Sequence, residues 1–106
     1  MNIDRETLEQ YKSIFGAEKM RSLWNDFIDD AGKKLDKIEN ADNEAQRLAY
    51  HSLRSSSLVF GLKEFAELCT VYEDKVLGGG RITPDEAAAS RRMLKQNIAE
   101  ADTYLK

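Results

Sequence analysis

The sequence predicts an all-α protein, an antiparallel up-and-down four-helix bundle with a short additional N-terminal helix. Apolar residues recur at three- and four-residue steps over long stretches, and no stretch alternates with the two-residue period of a strand. Helix breakers are few and clustered, because the chain holds one proline, Pro84, and one run of glycines at residues 78–80. A chain of 106 residues is long enough for a single domain, residues 1–106, with one modest core.

The first helix is predicted at residues 5–13, with Asp4 as its N-cap and with Ile3 and Leu8 at the spacing of a hydrophobic staple. A glycine separates it from a longer second helix at residues 17–39. The apolar positions of the second helix form one stripe of a helical repeat. They are Met20, Leu23, Trp24, Phe27, Ile28, Ala31, Leu35 and Ile38.

The third helix is predicted at residues 43–60, with Asp42 as its N-cap and Gly61 at the position just past its end. Its helical periodicity assigns one set of residues to the core side. These are Ala45, Leu48, Ala49, Ser52, Leu53, Ser56, Val59 and Phe60. His51, the only histidine, then points away from the core and out to solvent.

The fourth helix is predicted at residues 62–77, where the glycine run ends it. Its apolar face is Phe65, Leu68, Cys69, Tyr72 and Val76. The last helix opens with a capping box, in which Thr83 is the N-cap, Pro84 takes the first helical position and Glu86 reaches back. Its stripe is Ala87, Leu94, Ile98, Ala101 and Leu105. The short turns between the four longer helices predict antiparallel packing, and we expect the first helix to cap one end.

The outer face of the third helix is the predicted functional surface. Its residues three, four or seven positions from His51 are Glu44, Arg47, Arg54, Ser55 and Leu58. A neutral imidazole is available as a nucleophile near neutral pH. Arg47 or Arg54 could stabilise the negative charge of an attached phosphoryl group. Ser55 is short enough for a partner's loop to approach, and Leu58 is an exposed apolar residue suited to docking.

Composition and motifs argue against several other classes of function. The net charge of −3 disfavours nucleic acid as a partner. No apolar run approaches the roughly 18 residues that cross a bilayer, and the N-terminus lacks a signal-peptide pattern. One cysteine, Cys69, and one histidine give no metal-site spacing, and the serines beside His51 lack the strained turn of a hydrolase nucleophile. We therefore expect a cytoplasmic protein that holds no metal.

The stretch HSLRSSSLVFGL, which begins at His51, resembles the signature of the histidine phosphotransfer (HPt) family. His51 matches the histidine that the family phosphorylates, and Gly61 matches the family's glycine ten residues later. Arg54 stands where lysine is usual, and Ser55 stands where glycine is usual. The spacings of the second and fourth helices also resemble the family, including its apolar–Glu pair at residues 72–73, so the resemblance covers nearly the whole chain.

The resemblance implies a phosphocarrier without an ATP site or kinase activity of its own. A receiver domain's phospho-aspartate would donate its phosphoryl group to His51, on Nε2 in the family, and a second receiver's aspartate would take it. Arg54 would stabilise the phosphoryl group, and receivers would dock at Arg47, Ser55, Leu58 and Gly61. The implied partners are response-regulator receiver domains and hybrid sensor histidine kinases. Mg²⁺ would belong to the receiver, so no cofactor is expected, and we expect a monomer.

Two other interpretations stay open at this point. The phosphoacceptor domain of a sensor histidine kinase usually carries an acidic residue directly after the histidine and a proline five residues on, whereas Ser52 and Ser56 stand here. The other is a non-catalytic helical adaptor in which His51 is incidental. Such an adaptor would keep its partner binding when His51 is changed. The start at Met1 favours a free-standing protein.

Overall fold

A computed structural model describes residues 3–105 of the chain, and this part is helical without a strand. Its five α-helices are α1 (Arg5–Phe15), α2 (Ala17–Asp36), α3 (Asn43–Val59), α4 (Lys63–Leu77) and α5 (Pro84–Leu105). A 3₁₀ turn at Ile38–Asn40 follows α2. The all-α prediction is confirmed, and the predicted helix ends agree within two residues except at the end of α2. There the chain tightens into the 3₁₀ turn, which places the side chain of Ile38 in the core.

The predicted caps explain why the helices begin where they do. The Asp4 carboxylate accepts hydrogen bonds from the backbone N–H and the hydroxyl of Thr7, at 3.2 and 2.7 Å. Asp42 accepts from the backbone N–H three residues on, at 2.8 Å. At the start of α5, Thr83 N–H donates to Glu86 at 2.9 Å and Glu86 N–H donates to the Thr83 hydroxyl at 3.1 Å, which is the predicted capping box.

The helix α4 obtains its N-cap from another helix. Leu62 precedes it and offers no side-chain cap. Instead the buried Asn97 of α5 accepts a hydrogen bond from Phe65 N–H at 3.0 Å and donates to Glu64 at 3.2 Å. One of the N–H groups that a helix start leaves without a partner is thereby satisfied across the bundle.

Contacts between the helix ends establish antiparallel packing. Near the start of α2, Trp24 Nε1 donates to Asp102 near the end of α5, at 3.1 Å. Near the end of α2, Leu35 O accepts from Arg91 near the start of α5, also at 3.1 Å. The segments of α2 and α3 meet in the pairs Phe27–Phe60 and Ile38–Gln46, and those of α4 and α5 in the pairs Phe65–Asn97 and Lys75–Glu86. In both cases the later residue of one helix meets the earlier residue of the other. The helices α3 and α4 meet at mid-length, where Tyr50 packs against Tyr72. The four longer helices therefore form a ring in the order α2, α3, α4, α5, with α1 packed against α2 and α3.

The core side of α3 differs from the prediction by one residue along the helix. The residues that α3 buries are Gln46, Tyr50, Leu53 and Ser57. Ala45 and Leu48, which were predicted to be in the core, are exposed. Ala49, Ser52 and Ser56 are only partly buried, on the side that faces α2. The apolar stripes predicted for α2, α4 and α5 do face the core, although Leu23, Ile28, Leu68 and Ile98 are partly exposed.

The reason for this difference is that α3 buries polar side chains with distant partners. Gln46 Nε2 donates to Ile38 O at 2.9 Å, and Gln46 Oε1 accepts from Ile82 N–H at 3.1 Å. The hydroxyls of Tyr50 and Ser90 lie 2.8 Å apart. Because each of these polar atoms has a hydrogen-bond partner, its burial costs little. A pattern of apolar residues does not reveal such burial.

Gly32, inside α2, is a position where a substitution should stabilise the protein. A Cβ added there would meet no atom within 4 Å. Glycine inside a helix costs about 0.5–1 kcal/mol relative to alanine. We expect Gly32→Ala to raise the free energy of unfolding by about that amount in a urea titration, with an unchanged slope. A loss of stability would mean that the space beside Gly32 is occupied.

None of the helices in residues 3–105 combines the length and apolar character that crossing a bilayer requires.

Candidate functional site

His51 lies in the middle of α3 and reaches towards α4. Its side chain is 52% exposed, which confirms the predicted outward orientation. Its Nδ1 atom lies 2.9 Å from Oε2 of Glu73, a hydrogen-bonding distance. Tyr50 and Tyr72, one residue earlier on each helix, pack edge to face and hold α3 against α4 beside this contact.

Glu73 is the most enclosed member of a line of charged groups. Its side chain is only 12% exposed, and its Oε2 atom also lies 4.0 Å from Nη1 of Arg47. Arg47 in turn holds Glu44, with Nη2 at 2.6 Å and Nε at 3.2 Å from the two carboxylate oxygens. This hydrogen bond lowers the pKa of Glu44 and raises the pKa of Arg47. Glu44, Arg47, Glu73 and His51 thus follow one another in a line of contacts that crosses from α3 to α4 and back.

The contact with Glu73 selects one form of the imidazole ring. An ionised carboxylate can only accept hydrogen bonds, so Nδ1 of His51 must be the donor. The neutral ring then carries its proton on Nδ1 and its lone pair on Nε2. Within residues 3–105, Nε2 has no hydrogen-bond partner. The arrangement resembles the carboxylate–imidazole pair that orients a base or nucleophile in enzymes.

Arg54 is one turn beyond His51 and differs from Arg47 in its surroundings. It is half-buried, and its Nε atom is buried without a hydrogen-bond partner. Over the described residues Arg54 forms no ion pair, whereas Arg47 is bound to Glu44. Of the two arginines that the sequence places beside His51, Arg54 is therefore the one that no carboxylate holds over the described residues.

Cys69 lies on α4 one turn before Glu73 and is fully buried. Burial raises the pKa of its thiol to about 12, with a further contribution from Glu73. The thiol therefore stays protonated near neutral pH and is a poor nucleophile. This leaves the half-exposed imidazole of His51 as the candidate nucleophile of this surface.

Two of the residues predicted for docking are accessible beside His51. Ser55 is exposed, and its hydroxyl donates to the carbonyl of His51 at 3.3 Å. The side chain of Leu58 is also exposed, one turn further along α3. Both border an open depression of about 460 Å³ between α1 and the end of α3. Arg47 is half-buried and engaged with Glu44.

Gly61, the remaining residue predicted for docking, has a structural explanation. It is buried, its φ is +69°, and a Cβ added there would lie 2.3 Å from the carbonyl oxygen of Asp4. Asp4 N–H donates to Gly61 O at 2.6 Å. Glycine is needed here because the chain ahead of α1 crosses directly over the end of α3. Gly61 nevertheless borders the same depression as Ser55 and Leu58, and its part in docking stays a prediction.

Sequence reasoning missed the pairing of Glu73 with His51. The available signal was a charged residue on the buried side of α4, between Tyr72 and Val76. Glutamate is seldom buried without a partner, and a carboxylate enclosed beside a surface points to a functional pair. The sequence does not show how α3 and α4 align, and this alignment decides which residue of α4 pairs with His51.

Comparison with known proteins gives one match, to a protein family. The family model "Hpt domain" matches residues 22–104, which covers nearly the whole chain and leaves α1 outside. No curated protein and no solved structure matches the chain significantly. Hpt domains are phosphocarrier modules rather than kinases, and they interact with receiver domains and kinases of phosphorelays. The chain belongs to the Hpt domain family and has a histidine phosphotransfer role in a phosphorelay.

Proposed function

We propose that His51 accepts a phosphoryl group from the phospho-aspartate of one receiver domain and passes it to the aspartate of another. The observation that carries the proposal is the half-exposed ring whose Nδ1 atom is held by Glu73 at 2.9 Å. His51 is also the only histidine in the chain, so the histidine chemistry of the family has one candidate.

The first transfer needs no proton to move. The Nε2 lone pair attacks phosphorus, the N–P bond forms as the P–O bond breaks, and the aspartate leaves as a carboxylate on the receiver. The ring is then a cation with its proton still on Nδ1, where the Glu73 carboxylate stabilises it. In the second transfer an aspartate of the next receiver attacks phosphorus, the N–P bond breaks, and neutral imidazole is restored.

The neighbours of His51 have separate roles in this proposal. Arg54 supplies positive charge to the phosphoryl oxygens as charge develops on them. Arg47, Ser55 and Leu58 form the rim on which a receiver docks. The Mg²⁺ that assists such transfers belongs to the receiver, and this chain contributes no cofactor and no kinase activity.

The test is phosphoryl transfer from radiolabelled phosphorylated receiver domains of the source organism. We expect acid-labile, alkali-stable label on the parent protein and none on His51→Gln, because glutamine has no nucleophilic nitrogen. Circular dichroism of the variant should be unchanged, since His51 is at the surface. A second variant that combines His51→Gln with Gln96→His, on the exposed side of α5, should also stay unlabelled.

Label on the His51→Gln protein would place the acceptor elsewhere and contradict the proposal. An unlabelled parent across the full set of receivers would favour a helical adaptor. Label on the variant that carries a histidine at position 96 would show that any exposed histidine suffices, and that Glu73 and Arg54 are irrelevant.

A further inference from the structure

Arg47 shares the carboxylate that holds His51. Oε2 of Glu73 lies 2.9 Å from Nδ1 of His51 and 4.0 Å from Nη1 of Arg47. Within residues 3–105, these two are the groups able to carry a positive charge that come within 4.0 Å of Glu73. The Glu73 side chain is only 12% exposed, so water screens its charge little and both neighbours feel it.

The guanidinium of Arg47 is held so that one nitrogen is left for Glu73. Its Nε and Nη2 atoms donate to the two carboxylate oxygens of Glu44, at 3.2 and 2.6 Å. This is the paired contact that a planar guanidinium makes with a carboxylate. The remaining nitrogen, Nη1, is the one near Glu73. The positive charge therefore stands at a fixed place, one turn of α3 before His51.

A carboxylate beside a histidine has two effects, and they conflict in this reaction. It orients the ring by accepting from Nδ1, which leaves the lone pair on Nε2. Its negative charge also favours the doubly protonated ring, which has no lone pair and cannot attack phosphorus. Because an imidazole titrates near neutral pH, a modest change in the surrounding charge decides whether the ring is a nucleophile.

We propose that Arg47 is a positioning residue that acts on His51 through Glu73. Its positive charge offsets the carboxylate, so that the ring is oriented by Glu73 without being doubly protonated at neutral pH. The inference rests on the proposed function and explains how its nucleophile stays available. No bond to Arg47 forms or breaks in the transfer. This role is separate from docking, because it acts on the ring before any receiver arrives.

Other charged groups also surround the His51–Glu73 pair. They are Glu44 and Arg54 on α3, and Lys34 and Lys37 at the end of α2, where the two lysines border the same depression as His51. In the part of the chain that the structure describes, none of these three cations lies within 4.0 Å of Glu73. On α4, Cys69 stays neutral near pH 7, because burial raises the pKa of its thiol to about 12. Arg47 is thus the cation placed to offset Glu73.

Titration of the His51 ring tests the inference directly. His51 is the only histidine, so NMR can follow the carbon-bound protons of its ring against pH without ambiguity. We expect Arg47→Met, which keeps the apolar stem and removes the charge, to raise the titration midpoint by about half to one pH unit. Glu73→Gln should lower the midpoint, and Arg47→Lys should stay near the parent. The control Lys95→Met removes a charge between α2 and α5 and should leave the midpoint unchanged.

Labelling of His51 by phosphoramidate, a small donor that needs no docking, measures the same effect as a rate. Compared with the parent at the same pH, Arg47→Met should be labelled about threefold to tenfold more slowly at pH 6 and equally at pH 9, since one pH unit is a factor of ten in protonation. A role in docking alone would leave the rate unchanged at every pH. Damage to the site would slow labelling at both pH values.

The midpoint of Arg47→Met decides the inference. A midpoint that stays at the parent's value or falls, in a variant with the parent's circular dichroism, would overturn the inference. Label on the parent would in that case leave the proposed function intact. A parent that neither a receiver domain nor phosphoramidate labels would reject the proposed function, and this role of Arg47 with it.

Discussion

Replacing Glu73 with alanine should slow the phosphorylation of His51 by a receiver by about a hundredfold, and Glu73→Gln should slow it by about tenfold. A hydrogen bond to a charged group contributes about 1.5–3 kcal/mol, and about 1.4 kcal/mol corresponds to a factor of ten in rate. Glutamine still accepts from Nδ1 and keeps the ring oriented, but it lacks the charge that stabilises the cationic phosphorylated ring. Alanine loses both the orientation and the charge.

Two measurements test the role of Glu73. Single-turnover transfer from a phosphorylated receiver gives the rates, with Glu67→Gln on the exposed side of the same helix as the control. The ¹⁵N chemical shifts of the His51 ring report which nitrogen carries the proton. We expect the Nδ1–H form in the parent and a mixture in Glu73→Ala. If the alanine variant kept both the rate and the ring form of the parent, Glu73 would have only a structural role.

Gly61→Ala should lower the free energy of unfolding by about 2–3 kcal/mol. A non-glycine residue in the left-handed region costs about 1–2 kcal/mol. The added Cβ would also lie 2.3 Å from Asp4 O, so the backbone must shift and the hydrogen bond from Asp4 N–H to Gly61 O is lost. Losing that bond adds about 1 kcal/mol. Urea unfolding, followed by circular dichroism, measures the sum.

Gly79 provides a matched control for this substitution. Its φ is +98°, so alanine meets the same kind of backbone restriction, but a Cβ there would contact nothing within 4 Å. Gly79→Ala should therefore cost only the conformational part, about 1–2 kcal/mol. Equal losses at the two positions would show that the crossing of Asp4 over Gly61 contributes nothing to stability.

The sequence predicted the helix starts well because their determinants are local. Asp4 and Thr83 each act within three residues of their own position, and the structure has both caps as expected. The end of α2 was less predictable, since helical periodicity continues through Ile38. The 3₁₀ turn there depends on the buried contact between Ile38 O and Gln46, eight residues away.

The part of the candidate site that depends on local sequence, the outward position of His51, was also predictable. His51 points outward for either choice of core side on α3, so an error of one residue did not affect it. The partner of His51 depends on how α3 and α4 align, and Glu73 is 22 residues away. The sequence also could not choose between Arg47 and Arg54, because the choice depends on which arginine a carboxylate already holds. Ala45 and Leu48, which the sequence assigned to the core, are instead exposed on the side of α3 that faces α2.

Gln46 links two connections between helices that are far apart in the sequence. Its single side chain binds Ile38 O in the connection between α2 and α3 and Ile82 N–H in the connection between α4 and α5. Arg81 strengthens the link by donating to Ala41 O at 2.8 Å. If either helical hairpin frays at this end, a buried polar group of the other loses its hydrogen bond, so we expect the two connections to open together. The two connections at this end of the bundle are thus held to each other as well as to their own helices.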